Sequence, residues 1–437
     1  MTMLNLETIL HDHAAAVDAL ELFLTEYTAR TIDFRNNHLH SVSEKNLRGL
    51  GIRVIHNGRI GFNGSTDLRN IAALINRAKE SALFGQHASF EFTASKTLPS
   101  VELYDAAVSD YSHEDAIALG EQVIADITRE HPVMVNGSIT LTTGTACLAN
   151  SAGALHKQSS SRSSLFFSAV VTEDDGGFQE IYDAASSRRL NLDTAPLKNN
   201  ILRQLEWSKN LYPFKTSSLP VVFVPEIMGD LLTALELGCN GNNVLKKVSP
   251  LIGRENELLL DPRISITDDP LIPFGVGSFG IDDEGTPAVK TPLITDGKLT
   301  GFIWDNQTAG LMHTRSTGNG QRGYSSPPSP AYSNLVIAEG NTSLNEILAG
   351  LDNCVLITHV IGGGQSNLIA GDFSLNIGLG FYMEKGIVKG RIKNAMLAGN
   401  VYHEFKNNLL ALSQERRIHG GIITPAFIFK KMNIIAG

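Results

Sequence analysis

Glu226 and Asp230 stand one helical turn apart, directly behind the apolar run Val221–Val224. A buried strand passing there into a helix would present the helix's first turn to a cleft. Carboxylates so placed could serve a hydrolase, with His359 or His313 drawn into a rearranged site from elsewhere in the chain. They would hold a metal poorly. Pro225 has no donor atom, and Glu226 with Asp230 makes an oxygen-only pair, ill suited to zinc and short of the roughly six oxygens a hard cation wants. The plain alternative for Glu226 is a carboxylate at a helix N-terminus, favoured there by the helix dipole.

Other candidates fail on context. His113-Glu114 and His403-Glu404 look like the start of a metal-binding helix, but neither has a second histidine one turn later. His11-Asp12-His13 reads as solvated. Gly275, Gly277 and Gly280, and again Gly318, Gly320 and Gly323, fit G-x-G-x-x-G by letter. A dinucleotide site needs a helix next, whereas the first runs into Ile281-Asp282-Asp283-Glu284-Gly285 and the second into Pro327-Pro328. Both read as glycine-rich turns. No serine stands in a nucleophile-elbow context. Cys147, Cys239 and Cys354 are odd in number and far apart, which fits three small buried side chains in a reducing compartment.

The elements that must position Glu226 follow from pattern. The 437 residues exceed one ordinary core, and 40 glycines against 16 prolines suggest many turns. A net charge of −9 without basic clusters argues against nucleic acid and against anionic membrane surfaces. No apolar run reaches the roughly 20 residues that span a bilayer, and the acidic N-terminus lacks export signals, so a cytoplasmic protein is expected. Leu4–Thr28 reads as one long amphipathic helix. Thr28–Phe34 and Gly51–Ile55 read as strands, Asn57-Gly58 as a hairpin turn, and 67–84 as a helix capped by Asp67. A helix over 113–130, strands from Val133, a serine-rich loop over 157–164 and a helix over 193–207 follow. The expected units are residues 1–95, 96–215 and 216–437. The fold class is α+β: an N-terminal mixture of hairpins and long helices, then a mostly antiparallel β-rich C-terminal domain with few helices.

Four motifs lie in order in the C-terminal half: 221–230, Gly280–Pro287, Thr317–Gly320, and Gly362-Gly363-Gly364-Gln365 with Gly371-Asp372-Phe373-Ser374 behind it. Together they resemble the TldD/TldE family, whose TldE branch is also called PmbA and was once described as modulating DNA gyrase. The resemblance reaches Arg48–Val54 and Gly58–Phe62 and so spans nearly the whole chain. It implies a strand-to-helix step that in catalytic members carries H-E-x-x-x-H, two histidines holding zinc and the glutamate activating water. The matching positions here are Pro225, Glu226 and Asp230, and no cysteine follows Asn400 to supply the family's third ligand.

This departure matches the TldE/PmbA branch. The implied role is a non-catalytic subunit of a cytoplasmic metallopeptidase assembly that degrades or trims unfolded peptides, with zinc only in a TldD-like catalytic partner and no cofactor in this chain. The isolated chain is expected to form a homodimer; the other functional readings are an autonomous hydrolase with a rearranged site around Glu226 and Asp230 and a stand-alone peptide-binding scaffold. The glycine loops are either backbone turns or the lining of a groove in which an extended peptide adds as a strand. In the second case Gly318, Asn319, Gly320, Gly363, Gly364 and Gln365 would meet it.

Overall fold

The computed structural model describes residues 4–94, 98–173, 176–362 and 366–437. In chain order the first half holds α1 (Leu6–His13), β1 (Ala19–Arg35), β2 (His38–His56), β3 (Arg59–Ser65), α2 (Ile71–Ala82), α3 (Ala106–Asp110), α4 (His113–Glu130), β4 (Met134–Asn150), β5 (Leu155–Thr172), β6 (Phe178–Ser187) and α5 (Ala195–Ser208). The six strands form one antiparallel sheet in the order β3-β2-β1-β4-β5-β6. Leu20, Leu22, Ile32 and Phe34 face α2, α4 and α5 through two apolar clusters.

Three expectations fail here, each for a physical reason. The long N-terminal helix ends at His13, because Leu20, Leu22 and Leu24 alternate with Glu21 and Phe23 and all five are buried, which only a strand covered on both faces allows. Asn70, not Asp67, caps α2; its side chain accepts from Ala73 N, while Asp67 pairs with Arg69. The serine-rich stretch is no loop but the middle of β5. Ser161 and Ser163 are buried and donate to the carbonyls of Arg188 and Arg189. The Asn57-Gly58 turn is as expected, with φ 52° and 70° joining β2 to β3.

The second half holds β7 (Ser217–Phe223), α6 (Met228–Cys239), α7 (Gly241–Leu245), β8 (Ile266–Asp268), β9 (Thr291–Thr295), β10 (Lys298–Leu299), α8 (Asn306–Leu311), β11 (Gly320–Gln321), β12 (Ser329–Pro330), β13 (Leu335–Ile337), α9 (Leu344–Gly350), β14 (Cys354–Gly362), β15 (Asp372–Glu384), β16 (Ile387–Ile392), β17 (Ala395–Asn400), α10 (Val401–His403), β18 (Leu409–His419) and β19 (Ile422–Ala436). Its main sheet is mostly antiparallel; β7 with β14 and β13 with β19 are parallel. Because β19 pairs with both β17 and β7, the path β19-β17-β15-β14-β7 closes on itself and leaves those strands few free edges. The chain is α+β, as its patterns imply.

A buried charge cluster joins the two halves. Arg53 on β2 reaches Glu21 at 2.9 Å and Glu284 at 2.5 Å, and Arg322 reaches Glu21 at 2.8 Å. All four side chains are almost wholly withdrawn from water. Arg53 lies against the rings of Phe90 and Phe92, and Arg322 against Phe23. Next to them Tyr324 packs so closely on the sheet that a Cβ on Gly64 would sit 2.1 Å from its carbonyl oxygen.

Candidate functional site

Strand β7 runs between β14 and β19, so Val221, Val222 and Phe223 are fully buried and their direction is fixed. Past Val224 a single 3₁₀ turn, Pro225–Ile227, leads into α6. This is the strand-to-helix junction read from sequence, and it opens on a cleft of about 260 Å³. Tyr182 and Asp183 of β6, Arg203 and Trp207 of α5, Leu348 of α9, His359 of β14, and Arg417 and His419 of β18 also line it. Both halves of the chain therefore build one cleft.

Pro225 is buried in its wall. Glu226 reaches into it, and its Oε1 accepts from Arg417 Nη1 at 2.6 Å. Asp230 does not line the cleft; it lies on the exposed side of the first turn of α6, where partial loss of water raises its carboxyl pKa and His419 opposes the rise. Asp183 is buried. Loss of water and then the neighbouring charge of Glu226 raise its pKa, while Asn200 Nδ2 donates to its Oδ2 at 2.8 Å. Arg203 donates to Asn200 Oδ1 at 2.6 Å and lies over Trp207.

Of the two histidines considered for a rearranged site, His359 is in the cleft and His313 is exposed in a turn after α8. His359 is 7% exposed; its Nε2 donates to the Tyr182 carbonyl at 3.1 Å and its ring meets Tyr182 edge-on. Burial lowers its pKa, which favours the neutral ring at neutral pH.

The glycine motifs do a different job. Asn319 is 1% exposed; its Nδ2 donates to Asp268 and to the Ala331 carbonyl, and its Oδ1 accepts from Thr317. Every hydrogen-bonding group of that amide is taken up inside the chain. Gly320 is buried with its N–H on Asp282 Oδ2, and Gly318 turns the chain at φ 70°. Asp282 also accepts from Glu284 N and Thr286 N, so its carboxylate pins the turn over 282–286. Gly363, Gly364 and Gln365 lie outside the described residues.

Sequence reasoning missed Arg203, Arg417, Trp207 and Tyr182. The one local signal was the polar run Gln414–Arg417 inside an otherwise apolar strand. Among the described residues no three His, Cys, Asp or Glu side chains gather closely enough to hold a metal ion, and no helix is long and apolar enough to cross a membrane. Cys239 and Cys354 are buried, their thiols pushed up to about 12 by burial, and Cys147 is partly buried.

Models of three PmbA/TldA metallopeptidase domains match in order: domain 1 over residues 20–82, the central domain over 107–208 and the C-terminal domain over 216–436. The metalloprotease PmbA of Escherichia coli O157:H7 is 26% identical over 403 residues, 89% of this chain and 86% of that protein. A metalloprotease TldD homolog of Haemophilus influenzae is 33% identical over 184 residues, 42% of this chain and 38% of its own length. The crystal structure of TldE from Thermococcus kodakarensis shares the fold, with a TM-score of 0.91 at 24% identity over 99% of this chain and 100% of that one.

Proposed function

This chain belongs to the PmbA/TldD metallopeptidase family, and from that premise we propose that it is a subunit without a zinc centre of its own, acting beside a TldD-like partner on unfolded peptides. The observation that carries this reading is the Glu226–Arg417 ion pair at the strand-to-helix junction. The residues there do not fit zinc. Pro225 offers no donor, Asp230 stands outside the cleft, and a guanidinium already binds Glu226, the carboxylate of the junction that reaches into the cleft. A fixed positive charge against that carboxylate repels a second cation.

What its residues do is shape the cleft. Neutral His359 fixes the position of Tyr182 through the backbone of β6, and Arg417 holds Glu226 in place. We place the subunit in the cytoplasm, with zinc confined to the partner, no nucleic-acid or membrane role, and a homodimer in the partner's absence. The test is metal analysis of the purified chain, together with incubation of an unfolded peptide with the chain alone and with a TldD-like subunit added. The expected outcome is far less than one zinc per chain, no cleavage alone, and cleavage by the mixture. One tightly held zinc per chain with cleavage by the chain alone would sink the reading.

A further inference from the structure

Arg203 is an arginine of the cleft that makes no ion pair among the described residues. One of its N–H groups goes to Asn200 and its flat face rests on Trp207, which leaves the donors at Nε and Nη1 unused among the described residues. Among the described residues Arg417 spends only Nη1, on Glu226. The two guanidiniums line the same cleft, and the charges of Arg417, Glu226 and Asp183 all bear on Arg203.

The acids of the cleft are otherwise engaged. Glu226 is matched by Arg417, Glu415 accepts from the Leu344 N–H at 2.9 Å, and both oxygens of Asp183 accept, from Asn200 and from the Ala184 N–H. Beside the arginines the wall is apolar, made by Val224, Ile227, Leu348, Leu356 and Trp207. A site with fork-shaped cationic donors next to a small apolar wall suits a planar carboxylate that carries a hydrophobic side chain on the adjoining carbon.

We propose that this cleft captures the terminal carboxylate of a short peptide between Arg203 and Arg417, with the last side chain against Trp207 and Leu356. The peptide nature of the ligand rests on the functional reading above; the carboxylate recognition rests on the cleft itself. Trp207 is one of only two tryptophans, and the other, Trp304, is buried in the C-terminal core. Its fluorescence therefore reports on the cleft.

The experiment titrates the purified full-length chain with an N-acetylated tripeptide ending in leucine, as the free acid and as the C-terminal amide, and with acetate alone. The expected result is a saturable fluorescence change with the acid, about 10- to 100-fold weaker binding of the amide, and a similar loss for Arg203→Gln against the acid. Acetate should bind more weakly still. Arg203 is exposed and its contacts are the Asn200 side chain and the face of Trp207, so Arg203→Gln should keep the wild-type circular dichroism spectrum. Equal binding of acid and amide, no binding of either, or full affinity in Arg203→Gln would overturn the proposal. Acetate binding as tightly as the tripeptide would overturn its peptide specificity. Zinc-dependent cleavage by the chain alone would strike the subunit role while leaving the acid–amide comparison intact.

Discussion

Arg53 shows how much a single side chain carries in this molecule. Burial works against its charge, and Glu21 and Glu284 overcome that cost, so its pKa stays raised. Removing one member of a buried ion group leaves an uncompensated charge, which costs about 3–5 kcal/mol, more than deleting most apolar side chains of similar exposure. Arg53→Ala should therefore lower the urea midpoint more than any truncation among the exposed arginines, for which Arg69→Ala is the control. Arg69 pairs with Asp67 in full contact with water, where such a pair contributes little. Urea unfolding followed by circular dichroism gives both values, and equal midpoints for the two variants would contradict the argument. Arg417 differs again: its pair with Glu226 is partly exposed, so its importance lies in what it makes of the cleft and not in stability.

At the level of elements, β5 repays scrutiny. A row of small hydroxyl side chains looks like a loop, yet Ser163 Oγ donates to the Arg189 carbonyl at 2.7 Å and accepts from Asn191 N at 3.1 Å, pinning the segment between β6 and α5. Valine has a similar shape and a higher strand propensity, but it would leave both backbone groups without a partner. Ser163→Val is thus expected to destabilise by about 1–3 kcal/mol despite that propensity, and hydrogen exchange at Asn191 should quicken. Unchanged exchange there would refute the pinning role. The same residues explain what could be read from sequence and what could not. Periodicity located α4, the β2–β3 hairpin and the β7–α6 junction, because each is set by local pattern and turn chemistry. It could not show that the serines of β5 bond to a segment more than twenty residues away. Nor could it show that Leu20 and Leu24, which fit a helical period, belong to a strand whose other face buries Glu21. The cleft was legible only by half: Pro225 and Glu226 are contiguous, whereas Arg203 and Arg417 meet them through tertiary packing alone.

Taken whole, the molecule is two large sheets, with a small two-stranded one, joined through a seam crowded with acid. Asp283 and Asp305 lie there, each pushed up to about 6, mainly by burial, with Glu284 adding to both. The sign follows from linkage. An aspartate of ordinary pKa near 3.8 in the unfolded chain ionises there first, so between that value and about 6 the native state holds the extra proton. The stability such a group gives is fully present below 3.8 and is lost as pH rises through about 6. For Asp305 the loss is on the order of 3 kcal/mol by pH 7, from a shift of about two pKa units. His156 and His359, kept neutral by burial, act in the opposite direction below their ordinary pKa, and Glu173 and Asp261, with lowered pKa values, lose their contribution in acid. The revealing quantity is therefore a difference between two chains. Asparagine at 305 can still accept from Thr308 N and cap α8, but it carries no charge. Asp305→Asn should exceed the wild type in stability at pH 7 by up to about 3 kcal/mol, and the advantage should shrink towards zero by about pH 4. Paired urea titrations at the two pH values measure it. A difference that does not change with pH would mean that Asp305 is already ionised at no cost, and that the seam tolerates its charge.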